Sequence, residues 1–584
     1  MKKLAIAAAV IAAFAAFTLT AAAAIDTKTE IRPGAEAEPA IPGNHSPARV
    51  SSDHVPRPAG NALANSDAAL NLAGLNFEEH RTADGGNQFS TEPPDQALCV
   101  GNGLVMEAVN TVFRFRNATT GAPVGSIQAF NPFFTQDHAL NRTTGEVGED
   151  LGDPKCYYDP DLNRFFLTVL HLGVEPETGE HTGRAFVDIA VSKTGSPTTD
   201  RSGWFFYTLD VTNDGTAGTP SHPDCPCFGD QPLVGADRYG FYVSTNEFDL
   251  EPFGGSFNGA QIYAFNKAGL AAGTMNVQRI EGAPLASSYT TATDTPYSLQ
   301  PASSPSVADW SSASNGTEYL LGALEFSKGN VTLDDRIAVW ALTNTQSLTT
   351  ATPDVQVDDV VVTTQVYGAP PEAIQKTGPT PLADAIPTDF VGKNGNGPKE
   401  HENLLNGFDD RMQDAVYAGG KLWGALGTVV KTQNGPATGG AAYFAFTPSV
   451  SGAQVSAAVA RQGYVSVNGQ SVLYPAIAMK GNGQGAIVFT LVGPDLFPSA
   501  AYARLTLAGG AGSVRIAALG TRPADGFTGY RFFGGDGVER WGDYSDANVA
   551  ADGSLWMATE WIQGNIVYPP RVANWNTRIV KLNP

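Results

Sequence analysis

A hairpin-like segment recurs along this chain, and its recurrence constrains the fold more than any other feature. In the strong copies, an Asp stands ten residues before a turn residue, Gly or Asn, and an apolar or aromatic run follows. These copies are Asp153 with Asn163, Asp230 with Gly240, Asp410 with Gly420, and Asp543 with Gly553. Weaker copies are Asp95 with Gly103, a segment from Leu299, and a segment from Tyr474. Such self-similarity indicates a repeat architecture, here of seven units.

The intervals between repeat starts predict the size of each unit. They run from roughly 60 to 110 residues, which is enough for four short antiparallel strands and their loops. With 64 Gly, 39 Pro and only 16% charged residues, the composition favours short strands and many turns. We therefore expect an all-β fold, a β-propeller with seven blades, with six or eight blades as alternatives. Two stacked β-sandwiches are the other architecture considered, and the regular recurrence of one hairpin favours the propeller.

Each repeat is predicted to be the inner hairpin of a blade, which places certain side chains together. Residues seven positions after the turn should return to the same end of the hairpin as the Asp that precedes it. The resulting pairs are Asp230 with Glu247, Asp543 with Glu560, and Asp95 with Asn110. Because inner strands surround a common axis, we expect these pairs to form an acidic funnel at one mouth of the central channel.

Further residues are predicted at the same mouth and could bind a ligand. They are Asp153, Asp410, Arg411, Arg540, Trp541 and Tyr544. An Arg beside carboxylates can hold an anionic group, and aromatic rings can stack on sugar rings. The alternative is a purely structural role, in which each Arg neutralises the neighbouring Asp and Trp541 fills space between blades.

The carboxylates admit three roles. A repeated Asp at the start of a strand can simply accept backbone N–H groups. Convergent carboxylate and amide oxygens also suit calcium, the one cofactor that the sequence suggests, although no EF-hand loop is present and the metal ligands are not assigned. Alternatively, Asp230, Glu247, Asp543 and Glu560 could act as catalytic acid, base or nucleophile.

The amino terminus is typical of an exported protein. Residues 1–24 contain Lys2 and Lys3, an apolar run and small residues, as in a signal peptide. Residues 25–70 lack apolar periodicity and are predicted to be a disordered linker or pro-segment, and residues 71–584 the propeller domain. We expect a secreted or periplasmic monomer without a membrane span. The formal net charge of −22 argues against nucleic acid as a partner.

The four cysteines allow three complete pairings, and the sequence does not choose among them. They are Cys99, Cys156, Cys225 and Cys227, all in the first half of the chain. Their clustering favours one local disulfide. Zinc is poorly supported, because the Cys-Pro-Cys spacing is tighter than a zinc knuckle requires.

Five segments resemble a group of exported bacterial proteins with sialidase-like propellers. They are PPDQALCVGNGLVMEAVN, DPKCYYDPDLNRFF, DQPLVGADRYGFYVSTNEF, DDRMQDAVYAGGKLWGAL and RWGDYSDANVAADGSLWMATEW, and the similarity extends over about residues 90–584. The chain has no repeated S-x-D-x-G-x-x-W turn and no arginine triad that can be matched. The resemblance thus implies the propeller fold and assigns no catalytic residue.

Two classes of function follow. In the first, the propeller is a binding protein that holds an extracellular carbohydrate or cell-surface ligand at its acidic mouth, with calcium ordering the loops. In the second, it is a carbohydrate-active enzyme, a glycoside hydrolase or lyase, that uses the paired carboxylates. The sequence favours the first.

Overall fold

A computed structural model describes residues 31–33, 50–250, 253–280, 296–324, 333–386, 404–432, 435–564 and 572–584. The predicted signal peptide lies outside these residues.

Short strands connected by turns make up most of the described chain. Those that precede blade 1 in the chain are β1 (Ile31–Pro33), β2 (Leu63–Ala64), β3 (Leu70–Asn76) and β4 (Ser90–Glu92). Blade 1 contains β5 (Gln96–Gly101), β6 (Leu104–Val109), β7 (Val112–Asn117) and β8 (Pro123–Ala129). Blade 2 contains β9 (Asp150–Asp159), β10 (Arg164–Val174), β11 (His181–Ser192) and β12 (Trp204–Asp210). Blade 3 contains β13 (Cys227–Ala236), β14 (Gly240–Leu250), β15 (Phe253–Asn266) and β16 (Val277–Ile280).

The second half of the chain continues the pattern. Blade 4 contains β17 (Gln300–Pro301), β18 (Thr317–Ala323), β19 (Leu333–Thr343) and β20 (Gln356–Gly368). A loop pair, β21 (Ala373–Ile374) and β22 (Leu404–Leu405), precedes blade 5, which contains β23 (Met412–Ala418), β24 (Lys421–Val430), β25 (Thr438–Ser451) and β26 (Gln454–Val465). Blade 6 contains β27 (Ser471–Met479), β28 (Gln484–Gly493), β29 (Leu496–Thr506) and β30 (Gly510–Ala518). Blade 7 contains β31 (Asp546–Val549), β32 (Leu555–Trp561) and β33 (Asn576–Leu582).

The described helices are short and lie in connections. The α-helices are α1 (Phe77–Thr82), α2 (Phe130–Phe133), α3 (Lys267–Ala271) and α4 (Pro381–Ala385). Single 3-10 turns occupy Ser52–His54, Asp84–Gly86, Arg201–Gly203, Ala313–Asn315, Thr345–Thr349, Phe527–Gly529 and Arg531–Phe533. Within the ranges that the structure describes, no helix combines the length and apolar character that a membrane crossing requires.

Seven antiparallel sheets form a ring, and the predicted seven-bladed β-propeller is confirmed. The first strands of consecutive blades contact one another around the ring, and β31 of blade 7 contacts β5 of blade 1. These first strands are therefore the inner strands that surround the channel. Of the repeated Asp residues, Asp153 and Asp230 lie within the inner strands β9 and β13. The other three, Asp95, Asp410 and Asp543, lie one to three residues before the inner strands of their blades.

The ring is closed by strands from both ends of the chain. The carboxyl-terminal strand β33 pairs on one side with β32 and on the other with β3, both antiparallel, so β3 is the outermost strand of blade 7. The alternating apolar residues of the terminal segment NTRIVKLNP predict a strand that closes the ring, and β33 is that strand. Pairing both termini in one blade removes an open sheet edge and joins the ends of the ring.

The hydrophobic core is divided into layers between neighbouring blades. One layer joins blades 2 and 3 through residues such as Phe166 and Phe241, and another joins blades 5 and 6 through Trp423 and Ile477. Comparable layers separate the other neighbouring blades. Blades are thus held by apolar faces on both sides, which explains their nearly continuous buried strands.

The predicted disordered linker at residues 25–70 is wrong for residues 50–70, which pack against the ring. The strand β2 adds in parallel to β30 as a fifth strand of blade 6, and Asp67 accepts hydrogen bonds from the Tyr502 hydroxyl at 2.7 Å and Arg504 Nε at 2.9 Å. This segment lacks apolar periodicity because it uses backbone and polar side-chain groups to bind the outer surface. Residues 31–33 form β1, which pairs in parallel with β4, and residues 25–30 and 34–49 lie outside the described residues.

Two disulfides account for all four cysteines. One joins Cys99 in β5 to Cys156 in β9 and so links the inner strands of blades 1 and 2, and the other joins Cys225 to Cys227.

Candidate functional site

Three inner strands carry the same irregularity, in which a residue with positive φ precedes a proline. The pairs are Asp153–Pro154 in β9, Gln231–Pro232 in β13, and Tyr474–Pro475 in β27. In each case these two residues stand opposite a single residue of the neighbouring strand, so the strand contains a β-bulge. Proline is compatible with a bulge because the bulge leaves the hydrogen-bonded ladder. The bulges bend the strands and change the direction of the side chains beside them.

Three aspartates, from blades 1, 2 and 7, converge near the start of the inner strands. Carboxylate oxygens of Asp95, Asp153 and Asp543 all lie within 4.8 Å of one another. Each residue is only 4% exposed. The backbone N–H of Asp543 donates to Asp95 Oδ1 at 3.0 Å, which connects blade 7 to blade 1. We call these three residues the acidic cluster.

Glu560, near the end of β32, lies beside the acidic cluster. It is 1% exposed, and neither of its carboxylate oxygens has a hydrogen-bond partner in the part of the chain described. Gly542 precedes Asp543 and has φ of +123°, and a Cβ placed on it would collide with Glu560 Oε1. Glycine is thus required at position 542, where it lets the Glu560 carboxylate approach the backbone next to Asp543.

Burial and mutual repulsion raise the pKa of these acids. The pKa of Asp95 is raised well above its ordinary value by burial and by the charges of Asp543 and Asp153. Burial, then Asp230 and Asp543, raises the pKa of Asp153 in the same way. The pKa of Glu560 is also raised well above its ordinary value, by burial and by Asp95 and Asp543. Without a compensating cation, these groups favour their protonated form.

Arg540 supplies part of the compensating charge. Its Nη2 lies 3.0 Å from Asp543 Oδ1, and its charge opposes the rise in the pKa of Asp95 and Asp153. Lys155 also interacts with Asp95 and Asp153, so two cations stand near the three acids of the cluster and Glu560. Negative charge therefore exceeds positive charge whenever these acids are ionised.

A small cavity opens beside the acidic cluster. Its volume is about 30 Å³, and Asp95, Asp153, Asn110, Gln88 and Thr111 are among its lining residues. This volume holds one or two water-sized particles and is too small for a sugar ring. The donors around it are mainly carboxylate, amide and hydroxyl oxygens, the ligand atoms that calcium and magnesium prefer.

Two of the three predicted pairs are neighbours. The Asp95 backbone N–H donates to Asn110 Oδ1 at 2.7 Å, and the Asp543 charge acts on the pKa of Glu560. The charges of two predicted acids, Asp230 and Asp543, both raise the pKa of Asp153. Of the predicted acids, the structure brings Asp95, Asp153 and Asp543 together, while the catalytic and ligand-binding roles of the predicted residues stay predictions.

The predicted neighbour relation of Asp230 and Glu247 is wrong. Counting back from the turn places them opposite each other, but the bulge at Gln231 adds one residue. Asp230 therefore pairs with Asn246, and Gly229 pairs with Glu247. Successive residues of a strand face opposite sides, so the Glu247 side chain lies on the other face from Asp230. Glu247 instead contacts His222 and Cys225.

The other predicted ligand-binding residues occupy interior positions. Asp410 and Trp541 are 0% and 1% exposed, and the Trp541 indole N–H donates to Thr490 Oγ1 at 3.1 Å. Arg411 is paired with Asp409 and donates to Gln231 Oε1 at 2.9 Å, which connects blade 5 to blade 3. Tyr544 lies near the cluster, since Asp153, Asp95 and Asp543 contribute to its raised pKa after burial. Trp541 thus offers no exposed ring for stacking.

A second polar layer within the channel was not predicted. Lys155 Nζ lies 3.2 Å from the centre of the Tyr544 ring, and its pKa is lowered by burial despite the opposing charges of Asp546 and Asp414. Burial raises the pKa of Asp414 to about 7 and that of Asp546 to about 6. Asp414 accepts the Ile477 N–H, and Asp546 the Leu98 N–H, both at 2.8 Å and both from the next blade. The sequence offered one sign of this layer. Lys155 follows Asp153 by two residues and Asp546 follows Asp543 by three, so each lies a little further along the inner strand of the same blade.

Glu92, also missed, makes stability depend on pH. Burial raises its pKa to about 8, although Thr528 donates to it. The unfolded chain loses this proton near pH 4.5, its ordinary pKa, while the folded protein keeps it up to about pH 8. Its stabilising contribution is therefore complete below pH 4.5 and is lost progressively between about pH 4.5 and pH 8, by up to about 5 kcal/mol.

Glu92→Gln is expected to remove this loss, since a neutral amide oxygen can still accept the Thr528 hydrogen bonds. Urea unfolding at pH 5 and pH 8 measures the effect: the variant should gain stability relative to the native protein at the higher pH. If the variant and the native protein differ in their free energy of unfolding by the same amount at pH 5 and pH 8, Glu92 is not the source of the pH dependence.

No protein-family model and no curated protein matches the chain. Similar solved structures include a protein of unknown function from Dyadobacter fermentans, with 10% identity, coverage of 74% of this chain and 95% of that one, and a TM-score of 0.32. An α-L-arabinofuranosidase from Fusarium graminearum has 8% identity, 84% and 92% coverage, and a TM-score of 0.30. A neuraminidase-like protein of A/little yellow-shouldered bat/Guatemala has 9% identity, 68% and 90% coverage, and a TM-score of 0.28. Similarities at this level carry no information about function.

Proposed function

We propose that this propeller is a divalent-cation-dependent binding protein, with the cation, calcium by preference, held by Asp95, Asp153 and Asp543 at the channel mouth. The observation that supports it is the Glu560 carboxylate, which is buried, has no hydrogen-bond partner among the described residues, and lies beside three converging carboxylates. A buried carboxylate without a partner is costly, and a cation beside it would remove that cost.

The cavity size supports a cation in preference to a buried organic ligand. A space of about 30 Å³ beside Asp95 and Asp153 accommodates an ion with a water molecule. Calcium takes six to eight oxygen ligands, so three carboxylates leave positions for water or ligand oxygens. An extracellular carbohydrate, whose neighbouring hydroxyls can chelate calcium, is the ligand class we favour, and it would bind at the mouth and not inside the cavity.

Asp153→Asn is expected to weaken calcium binding at least tenfold, or by about 1.4 kcal/mol, because it removes one charged ligand and keeps the side-chain shape. Titration calorimetry of the full chain with calcium chloride measures the affinity. Asp161→Asn is the matched control, since Asp161 is exposed in the turn of the same blade. Absence of calcium, magnesium and manganese binding to the native protein would refute the proposal.

The carbohydrate is tested separately on a glycan array. Binding is expected in calcium and lost both in EDTA and in Asp153→Asn. Calcium binding without any glycan binding would retain the metal site and reject the carbohydrate.

A glycoside hydrolase is the second candidate, and one observation favours it. Burial keeps Glu560 protonated, as a general acid requires, with Asp543 nearby as a second carboxyl group. Release of reducing sugar that disappears in Glu560→Gln, with the melting temperature retained, would support this candidate over binding alone.

A further inference from the structure

The Cys225–Cys227 disulfide lies on the loop that leads into blade 3. Only Pro226 separates the two cysteines, and Cys227 is fully buried while Cys225 is partly exposed. The stabilisation that a disulfide gains by restricting the unfolded chain grows with the length of the loop that it closes. A sequence separation of 2 gives this bond much less of that benefit than the separation of 57 between Cys99 and Cys156.

Groups able to transfer protons surround this disulfide. Glu247 Oε1 lies 3.9 Å from Cys225 Sγ and 2.7 Å from His222 Nδ1, so a carboxyl group connects the sulfur to an imidazole. The Asn213 amide donates to the other carboxylate oxygen of Glu247 and fixes its orientation. The Asn258 amide Nδ2 lies 3.6 Å from both sulfurs, where it can donate to a thiolate.

We propose that Cys225 and Cys227 form a thiol–disulfide exchange site that oxidises dithiols, such as paired cysteines of an unfolded or partly reduced polypeptide. This activity is independent of the cation-dependent binding proposed above, because Glu247 faces away from Asp230 and the acidic cluster. It also gives Glu247 a role that the channel mouth does not.

The reaction begins at the accessible sulfur. A substrate thiolate attacks Cys225 Sγ, the Cys225–Cys227 bond breaks, and its electron pair goes to Cys227 Sγ, where Asn258 can donate a hydrogen bond. The product is a mixed disulfide between the substrate and Cys225. The second substrate thiolate then attacks the substrate sulfur of this bond and releases Cys225 as a thiolate. Overall, the substrate dithiol is oxidised to a disulfide, and the cysteine pair is reduced to two thiols.

Glu247 and His222 provide the proton for Cys225. Protonation of the released Cys225 sulfur through Glu247, with His222 as the neighbouring proton carrier, lowers the amount of Cys225 thiolate that can attack the product disulfide and so favours substrate release. Because Glu247 Oε1 contacts the reacting sulfur, its removal should slow exchange and change the dependence of the rate on pH.

Timed reduction with dithiothreitol tests the proposal on the full oxidised chain. After acid quenching and alkylation, peptide mass spectrometry measures the reduced fraction of each disulfide. Cys225–Cys227 is expected to be reduced at least about tenfold faster than the buried Cys99–Cys156, which serves as a control in the same molecule. Equal rates would overturn the proposal.

Variants locate the chemistry. In Cys227→Ser, oxidised glutathione should form an adduct at Cys225, whereas Cys225→Ser should react at Cys227 at least about tenfold more slowly because that sulfur is buried. Glu247→Gln should slow reduction of the pair by about tenfold and alter its pH profile, with the melting temperature retained. If that variant does not fold, His222→Asn, in the loop that leads into blade 3, tests the same proton path. An unchanged rate and pH profile in the folded variant, or preferred attack at Cys227, would refute the mechanism.

Discussion

A chain that begins at Phe77 is expected to lose cooperative folding, because it lacks β3, the strand that closes the ring. Without β3, one edge of β33 is unpaired and the buried Leu75 is lost from the core beside blade 7. Both the ladder and the apolar contact across the closure disappear together. Thermal unfolding followed by circular dichroism should show no cooperative transition, and the protein should aggregate through the open edge.

Two matched chains separate the role of β3 from that of the preceding segment. A chain that begins at Leu70 lacks β2 and Asp67 but keeps β3, so it should fold with a modest decrease in melting temperature. Leu70 pairs with Lys581, near the carboxyl terminus, so a short turn can connect Pro584 to a transplanted copy of LNLAGLN. The Phe77 chain with this addition should regain a cooperative transition. Cooperative folding without any copy of β3 would show that the closure is dispensable.

Glu107→Ala is expected to destabilise the propeller by about 3–5 kcal/mol, because it leaves two buried arginines without their shared partner. Glu107 Oε2 accepts Arg116 Nε at 2.8 Å and Arg114 Nε at 3.1 Å, and all three side chains are at most 7% exposed. The Leu75 backbone N–H also donates to Glu107 Oε1, which connects blade 1 to the closing strand. Urea unfolding measures the change in the free energy of unfolding.

Glu79→Gln provides the control for the same arginine. Glu79 Oε1 lies 2.8 Å from Arg114 Nη1, but its side chain is 32% exposed, so water can replace the lost interaction. The expected cost is below about 1 kcal/mol. If both variants lose a similar free energy of unfolding, the burial of Glu107 is not the reason for the large cost expected of Glu107→Ala.

Local patterns were sufficient to predict the hairpins. The Asp-to-turn spacing located the inner hairpins of five blades, and the apolar segments RAFVDIAVSK and AQIYAFNKA, which have the pattern of outer strands, form most of β11 and the end of β15. Apolar alternation also located β33. These features depend on hydrogen bonds and side-chain faces within a few residues, so they can be read without knowing which blades are neighbours.

The β-bulges are the reason why the pairing of site residues could not be predicted reliably from the sequence. Both the predicted pair Asp230 and Glu247 and the predicted pair Asp543 and Glu560 came from counting residues around a turn. In blade 3, the bulge at Gln231 moves Glu247 to the opposite face, whereas Asp543 precedes β31 and lies next to Gly542, which contacts Glu560. A proline inside a predicted strand was the available sign of a bulge, since Pro cannot donate to the ladder.

The amino-terminal segment shows a second limit. Residues 50–70 lack apolar periodicity, but their backbone and polar groups bind blades already formed by distant parts of the chain, as Asn61 does when its backbone N–H donates to Ser466. These residues are ordered only because they contact the surface of other blades, and the sequence of the segment does not reveal that surface.

By itself, the sequence determined the all-β class, favoured seven blades and located the inner hairpins and the last strand, because repeated turns and alternating side chains are local properties. Only the tertiary structure decided which acids meet. The cluster of Asp95, Asp153 and Asp543 joins side chains from three blades, and the contact of Glu247 with Cys225 depends on a one-residue bulge. Contacts between blades depend on how the blades pack and on the register of each strand, and an insertion of a single residue reverses the face on which a side chain lies.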